Sequence, residues 1–230
     1  MRDISHQTTL VFLPGWGFKA SIWKAISHQF PYHKNLFIDL PTETNDILSA
    51  IHDQIPSHSI LIAWSLSGMI ATDLCLAYPD KYLKLITVSS TPIFPKDNNS
   101  MTFQQNALTD LPALMKHFQR LVNGKNRDVS KRNILQSHMM DSSESQTLLF
   151  YLDLLMQSDK REAYHRLNLP VLHIAGDNDY LIPIEHYTLI KQQYPQHRVK
   201  IIEQAGHIPF ITHEDIFVQH VQDFINASET

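Results

Sequence analysis

The stretch Leu61-Ile62-Ala63-Trp64-Ser65-Leu66-Ser67-Gly68 decides how the rest of the chain is read. Residues 59–63 have the apolar pattern of a buried strand, and a helix-like pattern runs from 68 to about 78. Between them one serine occupies a tight turn lined with small residues. A serine nucleophile is held that way at the end of a sheet, with its hydroxyl clear of the strand. The pattern is a variant of G-x-S-x-G, with Ala63 and Ser67 at the small-residue positions. Small side chains are wanted there because strand and helix nearly touch. Ser67 is the alternative nucleophile, but Met69 would then fall where a small residue belongs. The competing plain reading is a strand–helix turn in which the serine serves only as a cap.

Outward from this turn, short apolar runs recur at 9–13, 36–39, 84–89, 171–175 and 199–203. They are rich in Val, Ile and Leu with little alternation, as strands buried on both faces are. Amphipathic stretches at 21–30, 46–54, 185–194 and 214–225 lie between them. The class is therefore α/β, doubly wound, with a mostly parallel sheet of about six or seven strands flanked by helices. Residues 92–169 break the rhythm with helical patterns alone, at 111–122, 129–140 and 143–156. Three successive helices are too many for one crossover. A helical cap inserted between the fourth and fifth strands is expected, leaving 1–91 and 170–230 as the core; the alternative is that these helices thicken one face. Five of the six glycines, Gly15, Gly17, Gly68, Gly176 and Gly206, follow expected strands. They gather on the rim where open parallel sheets bind ligands.

A serine hydroxyl needs a base and an oriented acid. His207, in Gln204-Ala205-Gly206-His207-Ile208-Pro209-Phe210, follows the last strand on the same rim and is the candidate base. His213 competes, but it directly precedes a helix. In Gly176-Asp177-Asn178-Asp179-Tyr180-Leu181-Ile182-Pro183 the G-x-x-D-x-x-I-P form selects Asp179 as the acid, with Asp177 as the alternative, more suited to capping its own turn. The order Ser65, Asp179, His207 differs from the chymotrypsin and subtilisin orders. The N–H groups of Leu66, after the nucleophile, and of Trp16, in Leu13-Pro14-Gly15-Trp16-Gly17, are the candidate oxyanion donors.

Bulk properties bound the function. The chain has 230 residues, 43% hydrophobic and 18% charged, with net charge -4. That describes an ordinary globule without a basic field for nucleic acid. The N-terminal residues 1–7 carry no secretory signal pattern, and no apolar stretch nears the ~18 residues of a membrane span. A cytoplasmic monomer without membrane or nucleic-acid partner is expected. Cys75 reads as a small buried residue, and most of the 14 histidines read as surface residues. No metal-ligand spacing occurs, so neither metal nor cofactor is expected.

These segments resemble the α/β-hydrolase superfamily over nearly the whole chain. They are similar in particular to the pimeloyl-[acyl-carrier protein] methyl ester carboxylesterases of biotin synthesis. The similarity is carried by residues 12–17, 63–68, Val88-Ser89-Ser90-Thr91-Pro92-Ile93-Phe94 and residues 205–213. The resemblance implies a serine esterase in which Ser65 forms an acyl-enzyme, His207 activates water, Asp179 supports it, and Trp16 and Leu66 bind the oxyanion. The chain departs from the family at Pro14, where His is usual, at Ala63 and Ser67, where glycines are usual, and at residues 39–42, which lack a G-x-G-x-S continuation. Residues 111–135 carry Lys116, Arg120, Lys125, Arg127, Lys131 and Arg132 against one acid, Asp128. An acidic acyl carrier protein would be steered by such a segment; a solvated helix face is the alternative. Phe103, Leu114, Phe118 and Leu121 would point inward to grip an acyl chain. The competing functions are a general short-chain carboxylesterase, a C–C hydrolase or lyase of the same fold, and a non-catalytic binding protein.

Overall fold

The apolar runs form six strands: β1 (Thr9–Leu13), β2 (Lys34–Phe37), β3 (Ser59–Trp64), β4 (Tyr82–Val88), β5 (Val171–Gly176) and β6 (Arg198–Ile202). The computed structural model describes residues 8–42, 46–95 and 98–227. The N-terminal segment read above for a leader lies outside the described residues. The strands pair in the order β2-β1-β3-β4-β5-β6, and every pair is parallel. β1, β3 and β5 are buried along their whole length, whereas the edge strands β2 and β6 are partly exposed. Helices on both faces explain the unbroken apolar runs.

Crossovers run through α1 (Ile47–His52), α2 (Leu66–Ala77) and α8 (Glu185–Gln193), and the pair α9 (Pro209–Thr212) and α10 (Glu214–Asn226) follows β6. Between β4 and β5 lie α3 (Asn98–Thr109), α4 (Leu111–Asn123), α5 (Val129–Ser137), α6 (Ser145–Gln157) and the short α7 (Arg161–His165). Asp110 and Asp128 accept hydrogen bonds from the first turns of α4 and α5, which fixes where those helices begin. α4 buries Leu111, Leu114, Met115, Phe118 and Val122 on one stripe.

Three local expectations differ. Residues 21–30 form two 3-10 turns, Ala20–Ala25 and Ser27–Gln29, that bury Ile22 and Trp23. The Asp39 carboxylate accepts from Ala20 N at 2.5 Å and so caps the first of them. α5 stops at Ser137, short of 140, because residues 138–140 bond to the β1 loop instead: Lys19 N donates to His138 O and Met140 N to Gly17 O, each at 2.9 Å. α3 was not read from the sequence, since its polar composition gives no clear apolar stripe.

The strand order reverses between β1 and β3, where Leu13 pairs with Ala63. The loops after these two strands therefore leave the sheet side by side at a topological switch point, the usual ligand crevice of such sheets.

Besides His207, two histidines are buried, exceptions to the reading of most as surface residues. His173 on β5 is fully buried and His197 is 6% exposed. Thr87 Oγ1 lies 2.6 Å from His173 Nδ1, and His173 Nε2 lies 3.0 Å from His197 Nδ1. Tyr164 stacks on His173 and Tyr194 on His197. Burial, then the facing His197, lowers His173 to about 3; burial, then His165, lowers His197 to about 4. Both rings are neutral in the folded chain at neutral pH, while the unfolded chain protonates them near the usual value of about 6.5. Stability from this pair is constant above about pH 7 and falls as pH drops from there toward the folded values, by up to ~1.4 kcal/mol per pH unit for each ring. Urea unfolding of His197→Gln between pH 6 and 4 should show a shallower loss of stability than the parent, by about one proton. An equal slope in the two proteins would refute this account.

Candidate active site

Ser65 is the hinge between β3 and α2, and its backbone has φ 55° and ψ -123°. Such a conformation costs on the order of 1–3 kcal/mol and persists only where neighbours enforce it. Ser65 N donates to Val88 O at 2.8 Å, and Gly68 N donates to Ser65 O at 2.9 Å. A Cβ at Gly68 would come within 2.6 Å of Ser90 Cβ, so α2 packs on the end of β4 as closely as a glycine allows. Ser67 is fully buried and its hydroxyl donates to Pro14 O. That bond commits it away from His207 and removes it as the nucleophile candidate that the base would serve.

His207 Nε2 lies 3.0 Å from Ser65 Oγ, and His207 Nδ1 lies 2.7 Å from Asp179 Oδ2. The structure thus brings the three residues together in one chain of hydrogen bonds. The other Asp179 oxygen accepts from Leu181 N at 2.8 Å and Ile182 N at 3.2 Å. Those two backbone bonds fix the carboxylate face that meets the imidazole. With Nδ1–H donating to Asp179, Nε2 is left to accept the serine proton, the tautomer a general base requires. The His207 and Asp179 side chains are 1% and 0% exposed, so water does not compete for their bond.

The acid and base loops are stitched to one another and to the core. Asp177, the alternative acid, accepts from Gln204 N at 2.6 Å, and Asn178 N donates to Ala205 O at 2.9 Å. Trp64 Nε1 donates to His207 O at 2.8 Å, and the Trp64 ring meets Phe210 edge-on. His213 precedes α10 with its Nδ1 at 2.9 Å from Thr212 Oγ1, apart from the serine.

The two candidate oxyanion donors follow the paired strands β1 and β3. Leu66 is the first residue of α2, so its N–H has no acceptor within the helix. Trp16 is held by its indole, which donates to Leu148 O at 2.7 Å and packs edge-on against Phe103 and Phe118. Beside them opens a cavity of about 400 Å³ lined by Trp16, Ser65, Phe103, Phe118, Leu121 and Leu155, with Asn106, His117 and the half-exposed Tyr180 toward solvent. This lies within the size range of small-molecule pockets. Leu114 is buried in the core and does not line it. Asn106, His117, Leu155 and Tyr180 were not singled out from the sequence. Only the fold carries α3, α4, α6 and the acid loop to one opening, and no local pattern encodes that.

The six basic residues divide. Lys125 Nζ donates to Asn178 Oδ1 at 3.3 Å, and Lys131 Nζ to Thr212 O at 3.0 Å. These two cations fasten the α4–α5 region to the acid and base loops. Lys116, Arg120, Arg127 and Arg132 are exposed, as is Lys125, and Lys131 is half-buried. Among the described residues no group of His, Cys, Asp and Glu could hold a metal ion, and no helix is long and apolar enough to cross a membrane.

Comparison with known proteins places this geometry. Residues 19–214 match the alpha/beta hydrolase fold family. The chain is 30% identical to the pimeloyl-[acyl-carrier protein] methyl ester esterase of Yersinia enterocolitica, covering 96% of this chain and 94% of that one. It is 31% identical to the protein of the same name from Wigglesworthia glossinidia brevipalpis, covering 96% and 95%. Among solved structures, an esterase from Exiguobacterium antarcticum superposes with TM-score 0.81 at 16% identity, covering 96% of this chain and 92% of that one. An enol-lactonase from Burkholderia xenovorans superposes with TM-score 0.79 at 14% identity, covering 96% and 93%. At these identities the structural likeness concerns the fold.

The geometry separates the two aspartates. Asp179→Asn should lower ester turnover by about 10⁴-fold, since an amide disfavours the required imidazole tautomer. Asp177→Asn should leave turnover within about tenfold and act on stability instead, through the weakened Gln204 bond. Steady-state kinetics and denaturant unfolding of the pair check this; the reverse ranking would exchange their roles.

Proposed function

Because the chain belongs to the α/β-hydrolase fold family, and to its carboxylic ester hydrolases, we propose that it hydrolyses the methyl ester of pimeloyl-acyl carrier protein, the reaction for which its relatives are named. The observation that carries the proposal is the linear arrangement Ser65, His207, Asp179 beside an apolar cavity. In this reading the Ser65 oxygen attacks the methyl ester carbonyl while its proton passes to His207 Nε2. The carbonyl oxygen becomes an oxyanion facing the N–H groups of Leu66 and Trp16, each such donor contributing about 10²–10³ in rate. His207 returns the proton to the departing methoxide, methanol leaves, and the acyl group stays on Ser65. A water then gives a proton to His207 and its oxygen to the acyl carbon. Collapse of that second intermediate returns the proton to Ser65 and frees the carboxylate. Asp179 stays ionised throughout and stabilises the imidazolium formed at each step.

The cavity suits this substrate in shape. Its ester must reach Ser65 while the opposite end of the acyl chain stays joined to a protein outside. Phe103, Phe118, Leu121 and Leu155 provide an apolar passage between Ser65 and the polar rim at Asn106 and His117. The helices between β4 and β5 act as the cap over it. The exposed Lys116, Arg120, Arg127 and Arg132 supply the docking face for an acidic carrier, with Lys125 and Lys131 holding that face to the core.

Ser65→Ala should abolish ester hydrolysis by several orders of magnitude. Reversing charge at Arg120, Arg127 and Arg132 should raise KM for the carrier-linked ester at low salt and leave a free short ester unaffected. Growth of a biotin-requiring strain lacking this esterase, with and without the gene, gives the cellular test. No rescue, together with equal turnover of free and carrier-linked esters, would favour a general carboxylesterase.

A further inference from the structure

Ser67 stands where the elbow pattern ordinarily carries glycine, and its hydroxyl has a specific use. It donates to Pro14 O, a bond that runs from the first turn of α2 to the loop after β1. The two ends of this bond sit beside the two oxyanion donors: Leu66 precedes Ser67, and Trp16 follows Pro14 by two residues. The loops also touch directly. A Cβ on Gly15 would lie 2.9 Å from the Trp64 ring and 3.2 Å from Ser65 Cβ. That contact limits how closely the β1 loop approaches the elbow, but van der Waals contact alone leaves it free to slide. The hydrogen bond sets its register. Pro14 offers no N–H, and its ring fixes φ, so its carbonyl is the backbone handle available there.

We propose that Ser67 is a positioning residue that holds the Trp16 N–H in register with the Leu66 N–H, so that both donors meet one oxyanion. The inference rests on the ester-hydrolase reading above. It also gives the departures at Pro14 and Ser67 a joint meaning, since they are the two ends of one hydrogen bond across the site.

Oxyanion contacts strengthen as the transition state forms, so misalignment of one donor lowers kcat more than it alters KM. Ser67→Ala should lower kcat for a short free ester by about tenfold with KM within about twofold, a partial loss compared with deleting a donor. A boronic acid that forms a tetrahedral adduct on Ser65 should bind weaker by a similar factor. A simple alkanol occupying the cavity should bind as before. Ser67→Gly, which fits any space that serine fills, should behave like Ser67→Ala and serves if the alanine variant folds poorly. Unchanged kcat in both variants, or unchanged boronate affinity with a lower melting temperature, overturns the inference and makes Ser67 purely structural. Retained turnover in Ser65→Ala overturns the hydrolase reading and this inference together.

Discussion

The backbone of Ser65 is bent into a region that L-residues avoid, and the packing around it exists to keep it there. The serine cannot relax backward because its N–H is committed to Val88 O at the end of β4. It cannot relax forward because Gly68 has brought α2 against Ser90 with no space left for a methyl group. Gly15 blocks the third direction through Trp64 and the Ser65 side chain. Two of these constraints come from the end of β4 and one from the loop after β1, so the strain is borne by the neighbours on both sides of β3. The result is a hydroxyl presented at a fixed distance from His207, with the first N–H of α2 beside it.

Much of this was legible in the sequence because it is encoded locally. Apolar runs of a few residues marked all six strands, and small residues after them marked the rim. Ser65, Asp179 and His207 each follow a strand within a few residues, so their placement needed only the strand order. The oxyanion candidates followed from the same logic. Elements without a local signature were lost. Polar α3 has no stripe to read, and residues 138–140 leave α5 for bonds to a loop more than a hundred residues away. His173 interrupts the run Val171-Leu172-His173-Ile174-Ala175, which could have flagged it as buried; its partner His197, before β6, gave no such warning.

Charge was the hardest feature to interpret from the sequence. Six basic residues in one segment look alike on paper, yet Lys131 is half-buried against Thr212 and Lys125, exposed like the other four, reaches across to Asn178. Side-chain direction on α4, α5 and their connection depends on what lies beneath them, which spacing alone does not report. The substitution of Ser67 for glycine is similar. In sequence it is a weakened motif, and in the structure it is a hydrogen bond across the site.

The three residues of the proposed proton relay follow β3, β5 and β6, while most of the residues that line the cavity come from the segment between β4 and β5. On that proposal, reaction chemistry and substrate choice are written in separate stretches of the gene. A change in Phe103, Leu121 or Leu155 reshapes the cavity without touching the hydrogen bonds among Ser65, His207 and Asp179. If the proposed roles hold, a hydrolase of this build can change its diet through the one segment between β4 and β5, and a laboratory can randomise that segment against a constant reactive centre.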